Sequence, residues 1–267
     1  MCTSFAVHVD KTFIGMNFDI SRRPIKIVLT GDDQLLVLQN DDGQFYPAFG
    51  LNRSGTFMNL LMVEPTEAGN YRRGKNCVHI MKLFDEILSG RIELSQLDEY
   101  LANNVIVNVP KHSVHSMIAG SNRKTYIVEP GRKNMDINSS NRDFMVLTNF
   151  PVSDISENDY RDVEGPGSDR YIKAYEGITN NKTTFDIAKG LNLLKETVQQ
   201  SGDYPTQLSL LFVPEDNKVL FTLNGDFTKT FEFSFIHKQI QCVEGCTSNN
   251  GLTLTKKGIL LSELEDW

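Results

Sequence analysis

Short apolar runs broken by polar turns dominate the first third of the chain. Phe5 to Val9, Thr12 to Phe18, Ile25 to Thr30 and Leu35 to Leu38 are separated by Asp10-Lys11, Ser21-Arg-Arg-Pro24 and Gly31-Asp32-Asp33. Runs of this length between turn formers predict a hairpin-rich antiparallel sheet. Thr56 to Met62 reads as a further strand after the turn Asn52-Arg-Ser-Gly55.

The period then changes. Ile80, Phe84, Ile87 and Leu88 share one helical face, and Ser95-Gln-Leu-Asp98 has the pattern of a capping box opening a second helix. Strand-like runs return at Val114 to Ala119, Thr125 to Val128 and Phe144 to Thr148. Past Gly165-Pro-Gly167, Ser168 is the expected N-cap of a helix with Tyr171, Ala174, Tyr175 and Ile178 on its apolar face. Thr183 to Asp186 caps another, with Ile187, Leu191, Leu194 and Val198 aligned, and Gln207 to Val213, Lys218 to Asn224 and Lys229 to Phe235 close the series as strands. Blocks of strands and helix pairs without strict βαβ alternation predict an α+β protein: two antiparallel sheets packed face to face and covered by helices. No domain-length linker or internal repeat interrupts the pattern, so residues 1–267 are expected to form one domain.

Composition narrows the function classes. The chain is 40% hydrophobic and 23% charged, with a formal net charge of −7 and only short, scattered basic clusters, which argues against a nucleic-acid partner. No apolar run approaches the ~18 residues of a membrane span, and no basic segment followed by an apolar one marks a secretion signal. The four cysteines, Cys2, Cys77, Cys242 and Cys246, are too sparse for a disulfide framework, and Cys242-Val-Glu-Gly-Cys246 lacks a second ligand pair for a metal. A cytoplasmic, reducing setting with no metal and no cofactor is the expectation. Gly165-Pro-Gly167 matches no phosphate-binding loop.

One residue carries distinctive chemistry. Removal of Met1 leaves Cys2 with a thiol and a free α-amine on the same residue. With ordinary pKa values of about 8 and about 8.5, the amine can take the thiol proton as the sulfur attacks a carbonyl, and no histidine is needed. His112 and His115 accordingly read as loop and sheet residues rather than a catalytic pair.

The surroundings of Cys2 resemble the N-terminal-nucleophile (Ntn) hydrolases of the choloylglycine hydrolase and penicillin V acylase family. Met1-Cys2-Thr3 is followed by a strand and by Gly15-Met16-Asn17-Phe18-Asp19. Asn52-Arg-Ser-Gly55 with Phe57-Met58-Asn59-Leu60 is similar to that family's Asn-x-x-Gly turn and asparagine-bearing strand. Asn108-Val-Pro110 with His115-Ser-Met-Ile-Ala119 and Tyr126-Ile-Val-Glu129 resembles its central hairpin. Val146-Leu-Thr-Asn149-Phe-Pro151 and Ser168-Asp-Arg170-Tyr171 resemble its Leu-Thr-Asn-x-Pro segment and Ser-x-Arg-aromatic helix start. The order holds over nearly the whole chain.

The resemblance implies a four-layer αββα Ntn-hydrolase sandwich and a cysteine amidohydrolase that cleaves linear amide bonds in small N-acyl compounds through a thioester on Cys2. Conjugated bile acids, phenoxyacetyl penicillins, N-acyl homoserine lactones and other N-acyl amino acids all fit. Acyl transfer from the same thioester, or a binding or sensing role without efficient catalysis, are the alternatives. Asn59 is the implied oxyanion donor, Asn149 the holder of the α-amine or of the same oxygen, and Arg170 the cation that lowers the thiol pKa. Asp19, two positions beyond Asn17 and so on the same strand face, can accept hydrogen bonds from the α-amine. Where the family usually has an arginine this chain has Met16, so Arg170 with the α-amine suffices, or Arg22 or Arg23 substitutes, or Cys2 is less reactive. The expected partner is a small N-acyl amide, with no nucleic acid and no membrane; self-association into a dimer or tetramer is open.

Overall fold

Thr3–His8 and Thr12–Asp19 are buried at every position, as strands sandwiched between two layers must be. In the computed structural model, which describes residues 2–121, 123–137, 142–153, 155, 160–246, 251–265 and 267, they lie at the centre of the molecule. The chain runs through β1 (Thr3–His8), β2 (Thr12–Asp19), β3 (Ile25–Thr30), β4 (Gln34–Asp41), β5 (Gln44–Asn52), β6 (Phe57–Asn59), β7 (Leu61–Met62) and β8 (Cys77–His79) to helices α1 (Ile80–Leu88) and α2 (Leu97–Asn103). There follow β9 (Val105–Val107), β10 (Val114–Gly120), β11 (Lys124–Val128), β12 (Met135–Asp136) and β13 (Phe144–Leu147), then α3 (Ser168–Asn181) and α4 (Ile187–Glu196). The last elements are β14 (Thr206–Val213), β15 (Lys218–Leu223), β16 (Asp226–Ser234), β17 (Gln239–Glu244), β18 (Leu252–Thr253), β19 (Ile259–Leu260) and the short α5 (Ser262–Glu265).

Two antiparallel sheets result. The first has the order β13-β1-β2-β14-β15-β16-β17-β18 and the second β12-β11-β10-β6-β5-β4-β3-β19. Their inner faces share one apolar cluster, in which Phe18 of the first sheet meets Phe49 of the second edge-on at 5.6 Å between ring centres. Helices α3 and α4 cover the outer face of the first sheet. Helix α1 covers the second, burying Ile80, Leu83, Phe84 and Leu88 against Met58, Ile118 and Tyr126 in a separate cluster. The layers are therefore helix, sheet, sheet, helix, as expected.

Gly15 has a particular role. It stands opposite Phe5 in the β1–β2 register, and a Cβ there would lie 2.2 Å from the Phe5 ring. The Phe5 ring thus fills the space a side chain at position 15 would take, and it packs edge-to-face with Phe185, centres 6.1 Å apart.

Several local expectations are corrected. The N-cap of α3 is Gly167, at φ 84°, and Ser168 is the first helical residue. A Cβ at Gly167 would lie 2.7 Å from Arg170 Nη2 and 3.1 Å from Thr148 Cβ, so the missing side chain is what lets the helix start approach β13. The capping box sits two residues earlier than expected, between Glu93 and Gln96, because a short 3₁₀ turn precedes α2. Asp186 caps α4 as expected, its carboxylate accepting from the Lys189 N–H. Strand β5, with Pro47 and Gly50 inside it, and the short β17, β18 and β19 escape the apolar-run reading.

Cys242 and Cys246 form a disulfide with a Cα–Cα distance of 6.1 Å. A reducing setting does not lead one to expect this pair, which closes across a separation of four residues at the end of β17. Cys2 and Cys77 are free thiols. Among the described residues no helix is long and apolar enough to cross a membrane.

Candidate active site

Antiparallel register brings Asn149 to Cys2. Ser4 pairs with Leu147, so two further residues along β13 the chain reaches the level of Cys2. There the Cys2 backbone nitrogen donates to Asn149 Oδ1 at 2.5 Å, while Asn149 Nδ2 donates to the Met62 carbonyl at 2.7 Å. Both ends of the Asn149 amide are thus engaged, which fixes which atom faces Cys2. On the other side of β1, Thr3 pairs with Asn17, which sets the end of β2 beside Cys2; the thiol is 3.7 Å from the Asp19 carbonyl oxygen.

Asp19 and Arg170 form a buried ion pair at 2.7 Å between Asp19 Oδ2 and Arg170 Nη1. The same Nη1 donates to Thr3 Oγ1 at 2.9 Å, and Thr206 Oγ1 donates to Asp19 Oδ1 at 2.5 Å. Because Thr206 Oγ1 also accepts from the Gln199 N–H, its own proton is left for Asp19. Burial pushes the Asp19 carboxyl up to about 7 against the pull of Arg170 and the Thr206 hydroxyl. Burial likewise pushes the Cys2 thiol up to about 11, with the Asp19 charge adding to the rise and Arg170 opposing it. The thiol is therefore protonated at neutral pH, and attack by its sulfur needs a base.

Asn59 lies fully buried between the sheets. Its Oδ1 accepts from the Met117 N–H at 2.8 Å, and its Nδ2 points at Met16 Sδ, 3.5 Å away. Thioether sulfur is a weak acceptor, so this NH₂ is held in direction but only weakly satisfied. Asn59 joins the cluster through Met16 rather than through a bond to Cys2.

The three readings of Met16 narrow. Met16 is fully buried, and Arg23 turns to Ser21 Oγ and the Asp41 carboxylate, while Arg22 is exposed. Arg170 is the side-chain cation whose charge acts on the Cys2 thiol. Asn17, on the same strand face as Asp19, faces α4, donating to the Leu194 carbonyl and Thr197 Oγ1.

Thr3, Thr206 and Met62 stand in this site without any sequence signal that distinguishes them from other strand residues. Their roles come from cross-strand register alone. His112 is exposed, whereas His115 is fully buried in β10 and pairs with Glu129. Among the described residues no group of three His, Cys, Asp or Glu could hold a metal ion.

Neither any family model nor any curated protein sequence matches the chain. Solved structures do. A cysteine-to-alanine mutant of conjugated bile acid hydrolase from Clostridium perfringens aligns over 96% of this chain and 98% of its own, at 18% identity and a TM-score of 0.65. Penicillin V acylase from Agrobacterium tumefaciens aligns over 97% and 90%, at 15% identity and 0.62. The Caenorhabditis elegans ortholog of N-acylethanolamine-hydrolyzing acid amidase aligns over 80% and 93%, at 12% identity and 0.50. Two antiparallel sheets between helices, with Cys2 heading β1, give this chain the α+β sandwich fold of the Ntn hydrolases.

Proposed function

We propose that the protein is an amidohydrolase of the choloylglycine hydrolase type that cleaves a linear amide in a small N-acyl compound, with Cys2 as nucleophile once Met1 is removed. The observation that carries this reading is the 2.5 Å bond from the Cys2 nitrogen to Asn149 Oδ1. In the processed protein that nitrogen is an amine. Asn149 accepts one of its N–H groups and so aims the nitrogen lone pair, and a thiol pushed up to about 11 needs just such a neighbouring base.

The step then runs in sequence. The amine takes the thiol proton as the sulfur attacks the amide carbonyl, and a C–S bond forms with the carbonyl electrons moving onto oxygen. Asn59 Nδ2, held in direction by the Met117 N–H and facing a weak thioether acceptor, supplies a donor to that oxyanion. Collapse breaks the C–N bond, the ammonium returns its proton to the departing amine, and water hydrolyses the thioester to acid and free thiol. Arg170 opposes the rise of the thiol pKa while holding Asp19 in place.

A second reading, a binding or sensing protein, draws on Met16, which puts a neutral thioether beside Asn59. Intact mass of the native protein, before and after rapid quenching with penicillin V and with N-acyl amino acids, separates the two. Loss of Met1 and an acyl adduct on Cys2 support the hydrolase. Retained Met1 with no adduct leaves the binding protein.

A further inference from the structure

Among the buried ionisable residues that take no part in the steps above are a histidine and a glutamate that touch each other. His115 in β10 and Glu129 just past β11 are 0% and 1% exposed. They stand opposite each other, since Ser116 pairs with Val128 one position further in. His115 Nδ1 lies 2.8 Å from Glu129 Oε1, and His115 Nε2 lies 2.7 Å from the Thr148 carbonyl oxygen.

Hydrogen-bond accounting ties the pair to its surroundings. A carbonyl oxygen only accepts, so Nε2 carries a proton. The Glu129 carboxylate accepts the Val152 N–H at Oε1 and the Ser153 N–H at Oε2, each at 3.0 Å. Backbone donors of this kind favour the ionised form. Burial acts to raise the Glu129 carboxyl, but its hydrogen bonds from His115 and Ser153 outweigh it and hold the group below the usual carboxylate range. His115 therefore bridges the Thr148 carbonyl and the Glu129 carboxylate, one ring nitrogen on each.

What the pair grips is the segment that holds the nucleophile. His115 takes the carbonyl of Thr148, and Glu129 takes the N–H groups of Val152 and Ser153, which brackets Asn149, Phe150 and Pro151. The third grip is β7: Leu61 pairs with His115, and the next residue, Met62, receives Asn149 Nδ2. Thr148 and Asn149 continue an edge strand of the first sheet, whereas His115 and Glu129 belong to the second.

From this geometry we infer that His115 and Glu129 are positioning residues, a hydrogen-bonded clamp from the second sheet that sets Asn149 and through it the Cys2 nitrogen. The inference rests on the reading of that nitrogen as the working amine. Neutralising Glu129 forces an amide NH₂ against one of the two backbone N–H groups it now accepts, and the bracketed segment shifts. A shift approaching 1 Å at a catalytic group costs about a hundredfold in rate.

The test is Glu129→Gln and Glu129→Asp, with Cys2 acylation by an accepted N-acyl amide followed in single turnovers. The clamp predicts that Glu129→Gln slows acylation about a hundredfold with KM within about twofold, and that Glu129→Asp recovers part of the rate. Hydrogen exchange at 149–153 accelerates in Glu129→Gln. Unchanged acylation and exchange in Glu129→Gln overturn the clamp. If Glu129→Gln does not fold, Glu129→Asp decides the matter: acylation and exchange both identical to wild type overturn the clamp. Absence of any Cys2 acylation in the wild-type protein defeats the amidohydrolase reading instead, and exchange then judges the clamp alone.

Discussion

Cys2 and Asn149 are 147 residues apart in sequence, yet the nitrogen of one donates to the side-chain oxygen of the other at 2.5 Å. The link is a consequence of strand pairing: β13 is laid against β1, and the residues just beyond the paired stretch fall level with the start of the chain. A single side chain in a strand-end segment therefore governs the direction of the proposed base.

Asn149→Ala removes that acceptor and leaves the Met62 carbonyl without its donor. Turnover of an accepted amide is expected to fall about a hundredfold, mostly in kcat, with the urea midpoint lowered only modestly because one partly satisfied carbonyl is at stake. An unchanged kcat would remove Asn149 from the mechanism.

Asp19 raises the Cys2 thiol by its charge, so Asp19→Asn lets the thiol ionise at lower pH. Iodoacetamide alkylation of Cys2 at pH 8 is expected to be faster in Asp19→Asn than in wild type. Asp19 also gives stability a pH slope. A carboxyl raised from 3.8 to about 7 contributes most below its unfolded value, and that contribution is lost as pH climbs toward 7, a slope Asp19→Asn lacks.

Arg170→Met strands a buried carboxylate. Breaking such a pair from one side typically costs about 3–5 kcal/mol, so a large drop in the denaturant midpoint is expected, recovered in the double variant with Asp19→Asn. If the double variant is no more stable than Arg170→Met, the ion pair is not the source of the loss.

Glu129 has the opposite sign to Asp19. Its carboxyl sits below the ordinary value of 4.5, so its contribution is complete above about 4.5 and is lost as pH falls through the lower folded value. Equilibrium unfolding of wild type is expected to weaken on acidification in that range, and Glu129→Gln to show a shallower fall. Parallel curves would mean that Glu129 is not held ionised.

Much of this was legible in the sequence wherever a pattern was local. Strands β1 to β3, helix α1 and the Asp186 cap follow from apolar period and capping chemistry within a few residues. Strand β5 was not, since Pro47 and Gly50 interrupt its apolar run and its first half is largely exposed. The α3 cap was misplaced because what selects Gly167 is the approach of Thr148 and Arg170, a tertiary constraint. The candidate site divides along the same line. Short motifs point to Cys2, Asp19, Asn149 and Arg170, and the fold sets these residues side by side. His115 and Glu129 carry only the pattern of sheet and hairpin residues, and Thr206 carries no distinguishing pattern. Their contacts arise only from register between distant strands, and no spacing along the chain encodes that.

The ring of Phe5 lying over Gly15 bears on how this protein could be altered by design. Most strand positions accept trial substitutions, and a library built around Cys2 would naturally include β2. Position 15 should be left out of it. Even alanine puts a methyl group 2.2 Å from the Phe5 ring, so that fully buried ring must leave its place against Phe185, three residues from Cys2. Diversity is better spent at Met62, whose side chain is 56% exposed while its carbonyl is tied to Asn149: there the side chain can be exchanged without asking the backbone to move.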